Sequence, residues 1–254
     1  MKHEKYFYIY ENILSKYKDQ EITFVEIGIE NGGSLFIWKK FFPKAKIIGI
    51  DLNPDCKKFE KDGFIIEIGD QNSIKFWKYF FNKYNSVDVI LDDGGHTNSQ
   101  QVNTVASCIP HIKDGGVLIT EDVMCSYFYD FGNPNKFSFI NFCKKIIDDI
   151  NFKYPNIGKF TFSLNAFVHS VEFFESVVVF KVNRKLCNFN SLVTNNKKSN
   201  NMKDLRYNFK INNFFKGSYL NKFKIFRKLN ELYKIYRMRS HNIKNSKKIK
   251  KFFK

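Results

Sequence analysis

Along the first 182 positions, short runs of β-branched and aromatic residues alternate with longer segments whose apolar residues return every three or four positions. The runs are Phe24–Ile27, Lys46–Asp51, Phe64–Ile68, Val87–Asp92 and Val117–Thr120. Apolar at consecutive positions, they read as strands buried on both faces of a parallel sheet. Helical segments follow them, starting near Leu35, Pro54, Ile74 and Ser99, and a further helix is expected over Lys136–Phe152. Ala166–Phe174 and Val177–Val182, parted by Glu175-Ser176, predict a terminal hairpin. Strand and helix in alternation predict an α/β fold, a doubly wound seven-stranded sheet with one antiparallel strand. Residues 5–18 carry Phe7, Tyr10, Ile13, Leu14 and Tyr17 at helical spacing. They add a leading helix that packs on the domain edge or covers a ligand, core packing being the simpler reading.

The turn after the first strand organises the rest. Gly28-Ile29-Glu30-Asn31-Gly32-Gly33-Ser34 joins a buried strand to a helix that Ser34 is expected to cap. Its glycines let a ligand approach the backbone, at the strand end where open α/β sheets bind small molecules. A dinucleotide fingerprint needs a second glycine against the pyrophosphate, and here Glu30 stands in that place. A carboxylate repels phosphate, so a cationic, phosphate-free ligand fits better, and Glu26 could pair with its ammonium group. On this stretch alone, an ordinary turn with no ligand remains the alternative.

The later strands end in acids. Asp51 lies roughly 20 residues past the loop, the place of a ribose-binding carboxylate in doubly wound folds. Asn53-Pro54 follows at once, so a turn role is the alternative. Asp70, before the helix at Ile74, could accept from an adenine amino group or serve as an N-cap. The fourth strand runs into Asp92-Asp93-Gly94-Gly95-His96, and the fifth into Glu121-Asp122. Adjacent acids repel unless a cation or donors compensate. Two such pairs on neighbouring strand ends make an oxygen-bound Mg²⁺ or Mn²⁺ plausible, whereas no Cys/His set suggests zinc. Lysine pairing is the competing account, and Lys113 is the one lysine nearby, at the far end of its strand. Met124–Phe139 reads as an aromatic loop suited to walling an acceptor site.

Charge then splits the chain. Of the net +17, residues 183–254 hold 21 Lys and Arg against two acids, a balance of +19, while residues 1–182 stand near neutral. The expected division is a catalytic domain at 1–182 and a basic Lys/Asn-rich extension at 183–254. Within the extension, Asn188–Lys203 reads as a polar linker and Lys222–Arg239 as an amphipathic helix. Docking on the domain, contact with an anionic membrane surface and nucleic-acid binding are the competing uses of this tail, the first two preferred because it carries no RNA-binding fold signature. Five scattered cysteines, the lack of a hydrophobic signal core and the lack of a membrane-length apolar run predict reduced thiols in a cytoplasmic protein, at most peripheral to the membrane's inner face.

The order of motifs, Glu26-x-Gly28 with Gly32-Gly33-Ser34, Gly69-Asp70-Gln71, Asp92-Asp93-Gly94-Gly95-His96, and Glu121-Asp122 with Ser126-Tyr127, resembles the class I S-adenosylmethionine-dependent methyltransferases over residues 20–182. Within them it is similar to metal-dependent sugar O-methyltransferases of macrolide biosynthesis and to relatives labelled cephalosporin hydroxylase-like. The resemblance implies a Rossmann-like sheet, with S-adenosylmethionine and Mg²⁺ as cofactors. It assigns the cofactor to Glu26, Gly28, Gly32, Ser34, Asp51, Asp70, Gln71 and Asp92, the metal to Asp93, Glu121 and Asp122, and general base catalysis to His96. Gly95 and Cys125 depart from the serine and threonine usual in that pattern, which touches acceptor specificity. The implied substrate is a sugar or surface-glycan precursor of capsule or lipopolysaccharide type, free or nucleotide-linked, with a homo-oligomer as a possible assembly. An RNA methyltransferase using the tail for phosphate contacts is the runner-up, and a module that binds S-adenosylmethionine without turnover the third reading.

Overall fold

The computed structural model, which describes residues 3–152, 161–188 and 223–253, gathers seven strands into one sheet. They are β1 (Thr23–Ile27), β2 (Lys46–Asp51), β3 (Ile65–Ile68), β4 (Val87–Asp92), β5 (Ile112–Thr120), β6 (Val168–Phe174) and β7 (Val177–Val182), in the order β3-β2-β1-β4-β5-β7-β6. β1 to β5 run parallel, and β7 is antiparallel to both of its neighbours. The expected sheet is thus present, hairpin included. Chain order reverses between β1 and β4, which opens a crevice at their carboxyl ends.

Successive strand residues point to opposite faces, and the two faces bury different helices. Phe24, Val89, Leu91 and Ile119 pack with Tyr10 of α1 (Glu4–Leu14) and with Leu35 and Trp38 of α2 (Gly33–Phe41). Val25, Ile90 and Leu118 pack on the other side with Trp77 and Phe80 of α3 (Ile74–Tyr84), Val105 of α4 (Asn98–Cys108) and Phe139 of α5 (Phe139–Ile150). Filling both faces explains why the central strands are apolar at nearly every position.

Some boundaries move. The leading helix ends at Leu14 and tightens into a 3₁₀ turn over Ser15–Tyr17 instead of running to 18. The helix expected from Lys136 starts at Phe139 with Ser138 as its N-cap residue, because Asn135 Oδ1 accepts from Phe137 N at 2.7 Å and holds the chain in a turn. Pro54–Asp62 is a 3₁₀ helix closed by Gly63, which adopts the left-handed conformation expected of its cap.

The first compact unit, Met1–Ser191, reaches past the boundary expected at 182. The short α6 (Arg184–Asn188) belongs to it: the Arg184 guanidinium donates to Asp114 Oδ1 at 2.8 Å, Ile112 O at 2.9 Å and Pro110 O at 2.8 Å. The second unit, Leu192–Lys254, contains α7 (Lys224–Lys248), whose Ile225, Leu229, Leu232, Tyr236 and Ile243 are all exposed. Nine Lys and Arg share this helix with one acid, and it extends beyond the amphipathic segment expected over 222–239. Most of the linker expected at 188–203 lies outside the described residues. Among the described residues no helix is long and apolar enough to cross a membrane, and all five cysteines are free and buried.

Arg184 joins α6 to two backbone carbonyls and a carboxylate at once. Arg184→Ala is expected to cost about 2 kcal/mol, the scale of losing charge-assisted hydrogen bonds. Urea unfolding should show a lower midpoint with an unchanged slope; an unshifted midpoint would refute this role for the side chain.

Candidate active site

β1 ends in a turn pressed against the loop after β4. A Cβ on Gly28, which has φ 84°, would lie 2.2 Å from the Asp93 carbonyl oxygen, so a residue without a side chain is needed there. The helix cap differs from expectation. Gly32, left-handed at φ 72°, is the N-cap residue of α2, and Ser34 lies inside the helix, donating its hydroxyl to Glu26 Oε2 at 2.8 Å. Trp38 Nε1 donates to Glu26 Oε1 at 3.0 Å, and Glu26 is wholly buried. Its carboxylate is thus engaged in tying α2 to β1, behind the surface that a ligand could reach.

Asp51, at the end of β2, holds the same turn from the other side. Its Oδ2 accepts from the backbone N–H groups of Ile29 and Glu30 at 3.0 and 2.9 Å, and its Oδ1 accepts from Asn53 N at 2.8 Å. Both the turn role and a place on the crevice are therefore realised. Asp70 is not the cap of α3; that is Ser73, which accepts from Phe76 N at 3.2 Å, while Asp70 Oδ1 accepts from Asn72 N at 2.8 Å. Gln71 is buried and bridges two loops, donating to Asp92 Oδ1 at 2.9 Å and accepting from Gly95 N at 2.9 Å.

Asp92 sits beneath the crevice, 1 % exposed, with Oδ2 lacking a hydrogen-bond partner among the described residues. Burial pushes its carboxyl up to about 6, against the donors Gln71 and Gly94 N, which pull it down. Asp93 and Asp122 face the crevice with His96. His96 Nε2 lies 3.4 Å from Asp122 Oδ2 and 4.0 Å from Asp93 Oδ1, and one donor atom from each of the three residues falls within 4.8 Å of the others. The third donor of this cluster differs from the expected set. Glu121 is 1 % exposed and accepts from the Tyr10 hydroxyl, while Tyr6 Oη donates to Asp122 Oδ1 at 2.6 Å. Burial and the neighbouring acids hold both phenols far above their ordinary range, so they stay protonated donors. Lys113, the lysine nearest in sequence, pairs with Asp88 at 2.9 Å at the opposite end of the sheet.

A crevice of about 440 Å³ joins these pieces, lined among others by Gly28, Asp51, Asp70, Gln71, Asp93, His96 and Asp122. A second cavity of about 310 Å³ lies on the other side of the glycine turn, between Gly28, Ser34 and Phe7 of α1. Three residues with positive φ other than glycine, Glu30 (43°), His96 (56°) and Asp122 (53°), line the crevice. Such backbone costs of order 1–3 kcal/mol each and gathers where function needs it.

Residues 25–123 match the family described as a methyltransferase domain, Methyltransf_24. The matched residues carry a methyltransferase domain, and the seven-stranded sheet that contains them has the α/β methyltransferase fold. The methyltransferase domain is 32% identical over 130 residues to the mycinamicin VI 2''-O-methyltransferase of Micromonospora griseorubida, covering 48% of this chain and 32% of that one. Against the demethylmacrocin O-methyltransferase of Streptomyces fradiae it is 29% identical over 153 residues, 56% of this chain and 38% of that one. The MycE methyltransferase of the mycinamycin biosynthetic pathway, solved with Mg, SAH and mycinamycin VI, superimposes with a TM-score of 0.64 at 25% identity, over 69% of this chain and 48% of that chain. The chain thus spans between about a third and two fifths of the length of these two curated relatives.

The sequence did not single out Tyr6 or Gln101, yet Tyr6 holds Asp122, and Gln101 Nε2 donates to the Glu121 carbonyl at 2.9 Å. Two tyrosines four positions apart on the apolar face of α1 were the available signal, easily taken for core alone. The state of Asp92 gives a pH test. Its folded pKa is raised, so its contribution to stability is full below about pH 4 and is lost as pH rises through about 6. In metal-free protein, Asp92→Asn should remove roughly 3 kcal/mol of that pH dependence. Denaturant titrations at pH 4 and 7 measure it; equal pH slopes for the two proteins would refute a buried carboxyl titrating here.

Proposed function

We propose that this protein is an S-adenosylmethionine-dependent O-methyltransferase that methylates a hydroxyl of a sugar, of the kind that enters surface glycans. The observation that carries the reading is the two-part crevice. Gly28, Asp51 and Asp70 line one end for the cofactor, and Asp93, His96 and Asp122 meet at the other. Relatives named as O-methyltransferases, among them ones for L-olivosyl and alpha-L-rhamnosyl compounds, support the acceptor class. The carboxylates of Asp93 and Asp122, clustered with His96 so that one atom from each of the three lies within 4.8 Å of the others, fit a hard divalent cation and leave the imidazole free to act as base. When bound, Mg²⁺ would supply Lewis acidity toward an acceptor hydroxyl held beside Asp93 and Asp122.

The chain's own residues do the rest. The glycine turn and Asp51 orient the cofactor so that its methyl faces the acceptor, and positioning of this kind supplies up to roughly 7–11 kcal/mol. His96 Nε2 takes the hydroxyl proton as the acceptor oxygen attacks the methyl carbon and the sulfonium bond breaks, leaving S-adenosylhomocysteine and a methyl ether. The carboxylates of Asp122 and Asp93, 3.4 and 4.0 Å away, offset the positive charge that the imidazole gains. Tyr6 and Tyr10 fix Asp122 and Glu121 from α1, which closes that side of the site.

His96→Ala is expected to lower kcat by about 10²–10⁴, the range of a lost general base, while S-adenosylhomocysteine still binds in calorimetry. Loss of cofactor binding in the same variant would overturn the base assignment. Activity should also vanish after EDTA dialysis and return with Mg²⁺; full activity without metal removes the ligand role from Asp93 and Asp122. Purification of the untreated protein tests the RNA reading, which rests on the basic tail: nucleic acid that co-elutes and is released by high salt would favour it.

A further inference from the structure

A cavity of about 590 Å³ is lined by Thr97, the residue directly after His96 of the crevice. One wall is the start of α4, from Thr97 to Asn103, and the other is the loop before α5 and its first turns. Asparagines fasten the walls together. Asn98 Nδ2 donates to Asn133 Oδ1 at 3.1 Å, Asn98 Oδ1 accepts from Phe139 N at 2.9 Å, and Asn133 Nδ2 donates to the Cys125 carbonyl at 2.9 Å. The space is therefore built into the fold rather than left by a loose loop.

Its lining has a definite chemistry. Phe131, Phe137 and Phe142 offer apolar ring faces, and Lys136 and Lys145 bring two cations. No carboxylate is among the lining residues. Lys136 Nζ lies 4.8 Å from the centre of the Phe137 ring, and neither lysine has an acidic partner among the described residues. A neutral glycoside would have no use for two cations at this place, whereas a phosphate ester would.

We propose, on the strength of the methyltransferase reading, that this cavity holds the carrier end of a glycosyl diphosphate acceptor. Lys136 and Lys145 take the diphosphate, the phenylalanine rings take the apolar or aromatic group beyond it, and the sugar reaches back past Thr97 to His96. The carrier could be a nucleoside or a polyprenyl chain, and both present the same diphosphate. Methylation would then precede the glycosyl transfer that consumes the activated sugar.

The test uses the full chain saturated with S-adenosylhomocysteine, in about 0.2 M salt to suppress loose anion binding to the tail. Calorimetry with UDP, dTDP and farnesyl diphosphate should show binding of at least one of them. The Lys136→Ala/Lys145→Ala variant, altered at two exposed side chains, should weaken it at least tenfold with S-adenosylhomocysteine affinity unchanged. Binding of UDP or dTDP identifies a nucleotide carrier and binding of farnesyl diphosphate alone a lipid one. The proposal falls if none of the three binds, or if the double variant binds them as well as the parent does. Should the diphosphates fail while a neutral methyl glycoside is methylated, the methyltransferase reading survives alone; should S-adenosylhomocysteine not bind, both fall.

Discussion

Six carboxylates, Glu26, Asp51, Asp92, Asp93, Glu121 and Asp122, are set at the carboxyl ends of β1, β2, β4 and β5, and their mutual repulsion is the constraint around which this edge of the sheet is built. Each of five is stabilised by neutral donors, Tyr6 serving Asp122. Ser34 and Trp38 serve Glu26, backbone amides serve Asp51, Gln71 serves Asp92, and Tyr10 serves Glu121. Such donors ease the burial of a charge without cancelling it. Asp93 and Asp122, both part-exposed, are the pair of this group that turns its negative charge to the crevice beside His96. A cationic sulfonium cofactor and a divalent ion are the species that such a field attracts.

The same bonds do structural duty, which is why site and fold cannot be separated here. Glu26 fastens α2 to β1, and Asp51 fastens the glycine turn to β2. Gln71 bridges the loops after β3 and β4. These contacts hold Glu30, His96 and Asp122 in left-handed backbone that none of them would favour alone. Gly95 shows how tightly the parts fit. A Cβ there would come within 2.4 Å of the Gln100 amide, which itself completes the capping box of α4 with Thr97. Any side chain at that position would have to displace this amide, so the glycine at 95 and the conformation of Gln100 go together.

The strands, the crevice and the clustering of acids were legible in the sequence because each rests on a local pattern. Buried runs mark the strands, glycines mark the turns, and an acid at the end of each run falls on one edge once the sheet is parallel. The partners of those acids were not legible. Whether Glu121 or His96 joins Asp93 and Asp122 depends on where Tyr10 points, and that is set by the packing of α1 across more than a hundred residues of intervening chain. Capping was misplaced for a related reason. Ser34 and Asp70 have the right side chains, but the left-handed turn at Gly32 and the hydroxyl of Ser73 take the positions first.

The helix α1 carries two duties at once. Its Tyr6 and Tyr10 are among the buried core residues on one face of the sheet, and the same two hydroxyls reach Asp122 and Glu121. Phe7, on the neighbouring position, lines the cavity over the glycine turn. The apolar bodies of these rings anchor the helix, and their polar tips fix the acids at the strand ends. Lining the cavity at the glycine turn and packing the core are therefore one arrangement: the energy that holds α1 down is the energy that keeps Asp122 aimed into the crevice.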